Sequence, residues 1–281
     1  MLSGPAPYIT NNSKPPAIET YFQNMTIRVH VRTRFGLAAV ALAAASLGLL
    51  SLRYGDFAPS AANLPDWLPW RQTWNRLAAV VLLSASAGLC YPRTRLASVL
   101  AIAAYQVIWV AIGTPPIFSN PLSIGTWYGF VEALTTLAGT WIVCATLLPM
   151  LGERAVRAAQ VIFGITCVFY GSSHFAYGQY TASMVPNWLP GRLGFAYFTG
   201  LAHVAAGIAI AVGVLPMLAA TLEAIMMCAF GLLVWVPSFL VQPPPAWAMP
   251  ARNQWAELVV NVALVASACA VALSFRKRDP T

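Results

Sequence analysis

Four ionisable side chains stand inside long apolar stretches in the second half of this sequence: His174, His203, Glu223 and Glu257. Such groups are costly in hydrocarbon, so each is a functional hypothesis. Histidine changes charge near neutral pH, and beside a carboxylate it can accept protons and pass them on. On that chemistry His174, Glu257 and Arg192 form an outer-facing polar pocket, with His203 deeper along it. Tyr170, Trp188 and Tyr197 would supply aromatic walls to a bound ligand. Counting about 1.5 Å of rise per helical residue puts His174 near the outer face and Glu257 about one turn in. The same count puts His203 near mid-bilayer and Glu223 towards the opposite side. A plainer alternative stands beside this one: His174 and Glu257 are interfacial residues satisfied by water, and His203 hydrogen-bonds a neighbouring helix. Two histidines on two helices could also ligate haem iron, which needs both rings at one depth. His174 and His203 are expected about half a bilayer apart, which disfavours haem, and the acids and histidines lack a compact metal-ligand spacing.

The elements that would hold these groups are membrane helices. Hydrophobic residues make up 59% of the 281-residue chain and charged ones 9%, with mean hydropathy +0.68. A soluble domain carries roughly 25% charged residues, so this chain lacks the polar surface to face water. Eight apolar runs, near 35–53, 73–91, 95–113, 127–150, 155–174, 193–213, 215–240 and 254–275, approach the ~20 residues a helix needs to cross ~30 Å of hydrocarbon. Unpaired backbone groups are prohibitive there, and barrel-type alternation is absent, so the expected fold is all-α. The net charge of +8 is spread between the runs rather than gathered in a patch, which argues against nucleic acid. Arg28, Arg32 and Arg34, then Arg93 and Arg95, then Arg154 and Arg157, then Arg276, Lys277 and Arg278 all fall on one side of an eight-span chain. Positive-inside makes that side cytoplasmic, with both termini there. The five cysteines lie within apolar runs without a CxxC pair, as small packing residues do.

Within this frame one motif occurs twice. Leu64-Pro65-Asp66-Trp67-Leu68-Pro69-Trp70-Arg71 is answered at a constant offset by Val185-Pro186-Asn187-Trp188-Leu189-Pro190-Gly191-Arg192. Ile108-Trp109-Val110 then answers Val234-Trp235-Val236, and Phe130-Val131-Glu132 answers Trp255-Ala256-Glu257. Such self-similarity is the signature of a repeat. Four helices per copy keeps both copies in the same orientation, which is a parallel repeat about an axis along the membrane normal. The expected organisation is a disordered tail over 1–32, a first unit over 33–152, a second over 153–275 and a basic tail over 276–281. Met25 offers a second start. Because Glu132 and Glu257 recur together, they are also candidates to pair with Arg71 and Arg192 and pin the motif loops.

The second copy resembles the DoxX-like family of four-helix membrane proteins. Tyr170-Gly171-Ser172-Ser173-His174-Phe175 carries the resemblance, with Ser183 to Pro190, Tyr197 to Gly207, Leu233 to Pro237 and Gln254 to Glu257, all in family order. The first copy is a divergent unit that keeps the loop motif and Glu132 but has no histidine. The resemblance implies a bacterial inner-membrane protein and an association with quinone-linked oxidation. On that reading the chain is a membrane or quinone-interacting subunit that works with a redox partner, since it holds no flavin or nicotinamide fingerprint. The other class is a non-enzymatic scaffold, assembly factor or small-solute or lipid transporter.

Overall fold

The computed structural model describes residues 17–57, 64, 67–241 and 245–275, with side chains described from Arg34 onward. Pro65 and Asp66 of the first motif, Pro243 and Pro244, and the basic segment 276–281 lie outside the described residues. No strand occurs among those residues. The helices are α1 (Ala17–Tyr54), α2 (Arg71–Gly88), α3 (Arg95–Ser119), α4 (Tyr128–Leu147), α5 (Gly152–Ala176) and α6 (Gly178–Met184). They continue as α7 (Arg192–Val212), α8 (Pro216–Phe230), a π-helical turn (Gly231–Trp235), α9 (Val236–Leu240) and α10 (Ala251–Ser274).

Seven stretches among the described residues are long and apolar enough to cross a membrane, consistent with a multi-pass membrane protein and one fewer than the eight expected. The one that falls short is α2, whose first two turns carry Arg71, Gln72, Asn75 and Arg76. A second correction concerns 1–32: from Ala17 onward the chain is helix rather than disordered tail. Between Pro16 and Gly36 there is neither Pro nor Gly, so nothing in the sequence interrupts α1 before it enters the apolar run. A third concerns the loop after 113: α3 continues through Pro115 and Pro116 to Ser119.

Contacts between helices fall in matching sets. α1 packs on α2 and α10, and α5 packs on α7 and α4; α3 packs on α4, and α8 on α10; α4 also packs on α10. The buried faces are rich in small residues, such as Ala79, Ala138, Ala196, Ala220 and Ala268, while Leu42, Val107, Ile108, Phe198, Leu201 and Ile225 point outward. That inversion suits helices in lipid, where close backbone approach drives association. Trp70 and Gly191, equivalent positions in the two motif copies, both cap their following helices in the left-handed region, with φ 56° and 66°. Gly191 adopts it freely, whereas Trp70 holds it against its side chain.

Asp56, just past α1, ties three segments together. Arg71 at the start of α2 grips it in a fork, Nε to Oδ1 at 2.9 Å and Nη2 to Oδ2 at 3.0 Å. Arg252 of α10 reaches Oδ2 at 3.3 Å and donates to the Phe57 carbonyl at 2.6 Å. Burial pushes the Asp56 carboxyl up, but hydrogen bonds from Arg71 and the Phe57 N–H, with the charges of Arg71 and Arg252, outweigh it and hold it below its ordinary 3.8. A carboxylate held down in this way contributes stability above its unfolded value, and that contribution is lost as pH falls through the folded one. Asp56→Asn should therefore cost about 1–2 kcal/mol at neutral pH. The difference from wild type should shrink below about pH 4, read as thermal unfolding of the detergent-solubilised chain.

Candidate functional site

The candidate site is built on a glycine seam between α5 and α7. A Cβ on Gly164 would meet the Gly207 carbonyl oxygen at 2.6 Å, and one on Gly171 would meet the Gly200 carbonyl oxygen at 2.5 Å. Seven residues up one helix thus answer seven down the other, as antiparallel helices in backbone contact require. His174 lies three residues past Gly171 and His203 three past Gly200, in opposite directions, so their Cα levels differ by about six residues, or about 9 Å. Side chains lean towards the N-terminus of their own helix, and on antiparallel neighbours these two lean towards each other. Their rings meet edge to face at 5.2 Å between centroids.

This corrects the expected half-bilayer separation, which counted backbone depth and ignored side-chain direction. The rings touch directly. No group of three or more His, Cys, Asp and Glu placed to hold a metal ion occurs among the described residues.

His203 Nδ1 lies 2.6 Å from Glu223 Oε1, and both side chains are buried. Glu223 was expected at a different depth, outside the polar pocket. Gly213, with φ 84°, turns α7 into α8, and 203 and 223 are equidistant from it, which is how an antiparallel hairpin brings two positions together. That equidistance was readable in the sequence. Glu223 Oε2 has no hydrogen-bond partner among the described residues, with the Cys167 thiol beside the carboxyl. His174 Nδ1 lies 3.1 Å from the Ala196 carbonyl oxygen and 3.0 Å from Thr199 Oγ1. A carbonyl can only accept, so His174 Nδ1 carries the proton and Nε2 is left as the acceptor of the neutral ring.

Phe230 closes on both imidazoles, with centroids 5.9 Å from His174 and 5.7 Å from His203. It immediately precedes the π turn, and π turns recur where a helix re-aims side chains at a site. Pro237 follows that turn and offers no N–H to continue the regular ladder. Tyr170 packs on His203 at 6.2 Å. The Thr135 hydroxyl donates to the Val131 carbonyl at 2.6 Å, so the Tyr170 hydroxyl is the donor in the 3.1 Å contact with Thr135.

The remaining expected members are elsewhere. Arg192 is exposed and donates to Asn187 Oδ1 at 2.9 Å. Trp188 is 70% exposed. Tyr197 stacks on Phe175 at 5.7 Å. Glu257 is not with His174: it lies within electrostatic reach of Glu132, between α10 and α4. Neither acid pairs with Arg71 or Arg192, because Arg71 is engaged by Asp56 and Arg192 by Asn187. Polar groups therefore also gather between α4 and α10.

Breaking one member of a buried pair costs about 3–5 kcal/mol, while replacing both by apolar residues costs far less. Glu223→Leu alone should be clearly more destabilising than His203→Phe with Glu223→Leu together, measured as thermal unfolding in detergent; equal losses would mean the pair is not coupled. Comparison with known proteins finds no family model, curated protein or solved structure that matches this chain.

Proposed function

We propose that this chain is a DoxX-like, quinone-interacting membrane subunit that handles protons, while a partner oxidoreductase handles electrons. Reducing a quinone to a quinol consumes two electrons and two protons. A chain without a flavin or nicotinamide fingerprint can supply the second half of that account. The observation that carries the reading is the buried His203–Glu223 contact at 2.6 Å with the His174 ring against it. Together they place exchangeable protons beside the aromatic faces of Phe230 and Tyr170, which suit a flat, apolar-bodied ligand. Purified full-length protein should bind a short-chain ubiquinone analogue, and His203→Leu should weaken binding at least tenfold. No saturable binding by the wild type, at any quinone ring substitution tried, would remove the redox role.

The finer topology belongs to the same reading. α2, at about 27 Å for its helical length, is the eighth span, with its polar first turns bonded to α1: Asn75 donates to the Ser51 carbonyl at 3.1 Å. Two parallel four-helix units over 33–152 and 153–275 are supported by the matched helix contacts and by the shared left-handed turn at Trp70 and Gly191. In a bacterial inner membrane both termini are then cytoplasmic. A reporter fused within Arg93–Arg95 should report a cytoplasmic location, and an external signal would overturn eight spans.

A further inference from the structure

A cavity of about 60 Å³ lies between α1, α3, α4 and α10, walled by Leu47, Tyr105, Gln106, Trp109, Glu132 and Val260 among others. The lining is mostly apolar, with polar groups from Tyr105, Gln106, Glu132 and Thr136, the Trp109 ring, and no basic residue. Gln106 Oε1 and the Tyr105 hydroxyl are buried without a hydrogen-bond partner among the described residues. The Trp109 indole lies beside the Tyr105 oxygen, but the Tyr105 proton has no acceptor among the described residues. Tyr105 is 8% exposed. Thr136 also faces the cavity, and its hydroxyl proton goes to the Ala133 carbonyl at 3.0 Å, leaving its lone pairs uncommitted. Ile112, another wall, has a backbone carbonyl that Pro116 cannot bond in the regular helical ladder. Buried polar atoms left this way point to an occupant that satisfies them.

We infer that this cavity binds a small monovalent cation, held by Glu132, Gln106 Oε1, Tyr105 and Thr136 together with part of its water. Oxygen ligands suit hard cations, and a single carboxylate matches one positive charge. Trp109 adds an aromatic face that favours positive charge. The charge fits one unit: Glu132 and Glu257 are neighbours with no cationic side chain paired to either among the described residues. Two carboxyls sharing one low-dielectric site do not both ionise, and one bound cation balances the single negative charge that either of them can take. A cavity of this size admits roughly four water-sized occupants, room for one ion and a few waters, one of which accepts the Tyr105 proton. Below it Glu132, Thr136 and Thr140 form a stripe on α4. Thr136 and Thr140, with Gln106 and Ser267, line a smaller adjoining cavity of about 20 Å³.

The site shares no residue with the histidine pair, and the test separates them. Thermal unfolding of the purified full chain is followed in sodium, potassium and N-methylglucamine chloride at equal ionic strength and fixed pH. A saturable rise in the midpoint of several degrees is expected with sodium or potassium and not with the bulky amine, as for any ligand that binds the folded state. Glu132→Gln should abolish the rise and Gln106→Leu should weaken the apparent affinity at least tenfold, while His203→Leu keeps it. Because the reading is the cation dependence and not the midpoint itself, a general change in stability does not mimic it. Identical midpoints in all three salts would overturn the proposal and leave a shared proton as the neutralising group. An unchanged affinity in Gln106→Leu would overturn it too, by placing the ion outside this cavity.

Discussion

Two helices cannot come into backbone contact unless something gives up its side chain, and here Gly164, Gly171, Gly200 and Gly207 do so along the α5–α7 seam. A single Cβ at any of them would strike a neighbouring carbonyl or side chain. The hydrophobic effect does little between helices already surrounded by hydrocarbon, so contact at this range depends on packing. The seam places His174 against His203, and His203 then meets Glu223 through the α7–α8 hairpin. Without the seam, the two histidines would lie at separate backbone levels with nothing to bring them together.

Tyr170 connects the two polar regions of the molecule. Its ring lies against His203, its hydroxyl bonds Thr135 on α4, and its phenol is within reach of the Glu132 charge. The histidine pair and the cavity between the halves are thus neighbours through one residue. Any change of charge at Glu132 is felt by a side chain that touches His203.

The helical class and the cores of the long apolar helices were legible, because apolar runs of span length admit little else. The early start of α1, the end of α3 and the short α6 were not legible. The site was legible as a set of residues and not as an arrangement. Depth counting treated His174 and His203 as points on their backbones, and it missed that side chains on antiparallel helices converge. It also passed over Glu223, although its distance from Gly213 mirrors that of His203. The recurrence of Glu132 and Glu257 was visible, but that they come within electrostatic reach of each other was not. Glu132 and Glu257 stand at matching places in the repeated motif, but nothing in their spacing says that α4 packs on α10. Arg71 and Arg192 looked like natural partners for these acids, yet the shorter reach to Asp56 and Asn187 wins.

The corner at Asp56 has a mechanical side. Phe57 is buried with its ring against Trp109, at 5.5 Å and nearly perpendicular, and Trp109 is a wall of the cavity. The carbonyl of Phe57 is held by Arg252, while its N–H is held by Asp56. The aromatic ring is therefore fixed, through its own backbone, by an ion pair anchored on α10 at one end and on α2 at the other. Salt, which weakens partly exposed ion pairs, would loosen the tether and with it the packing of Phe57 on Trp109. The seating of one cavity wall and the rigidity of the corner depend on the same few charges.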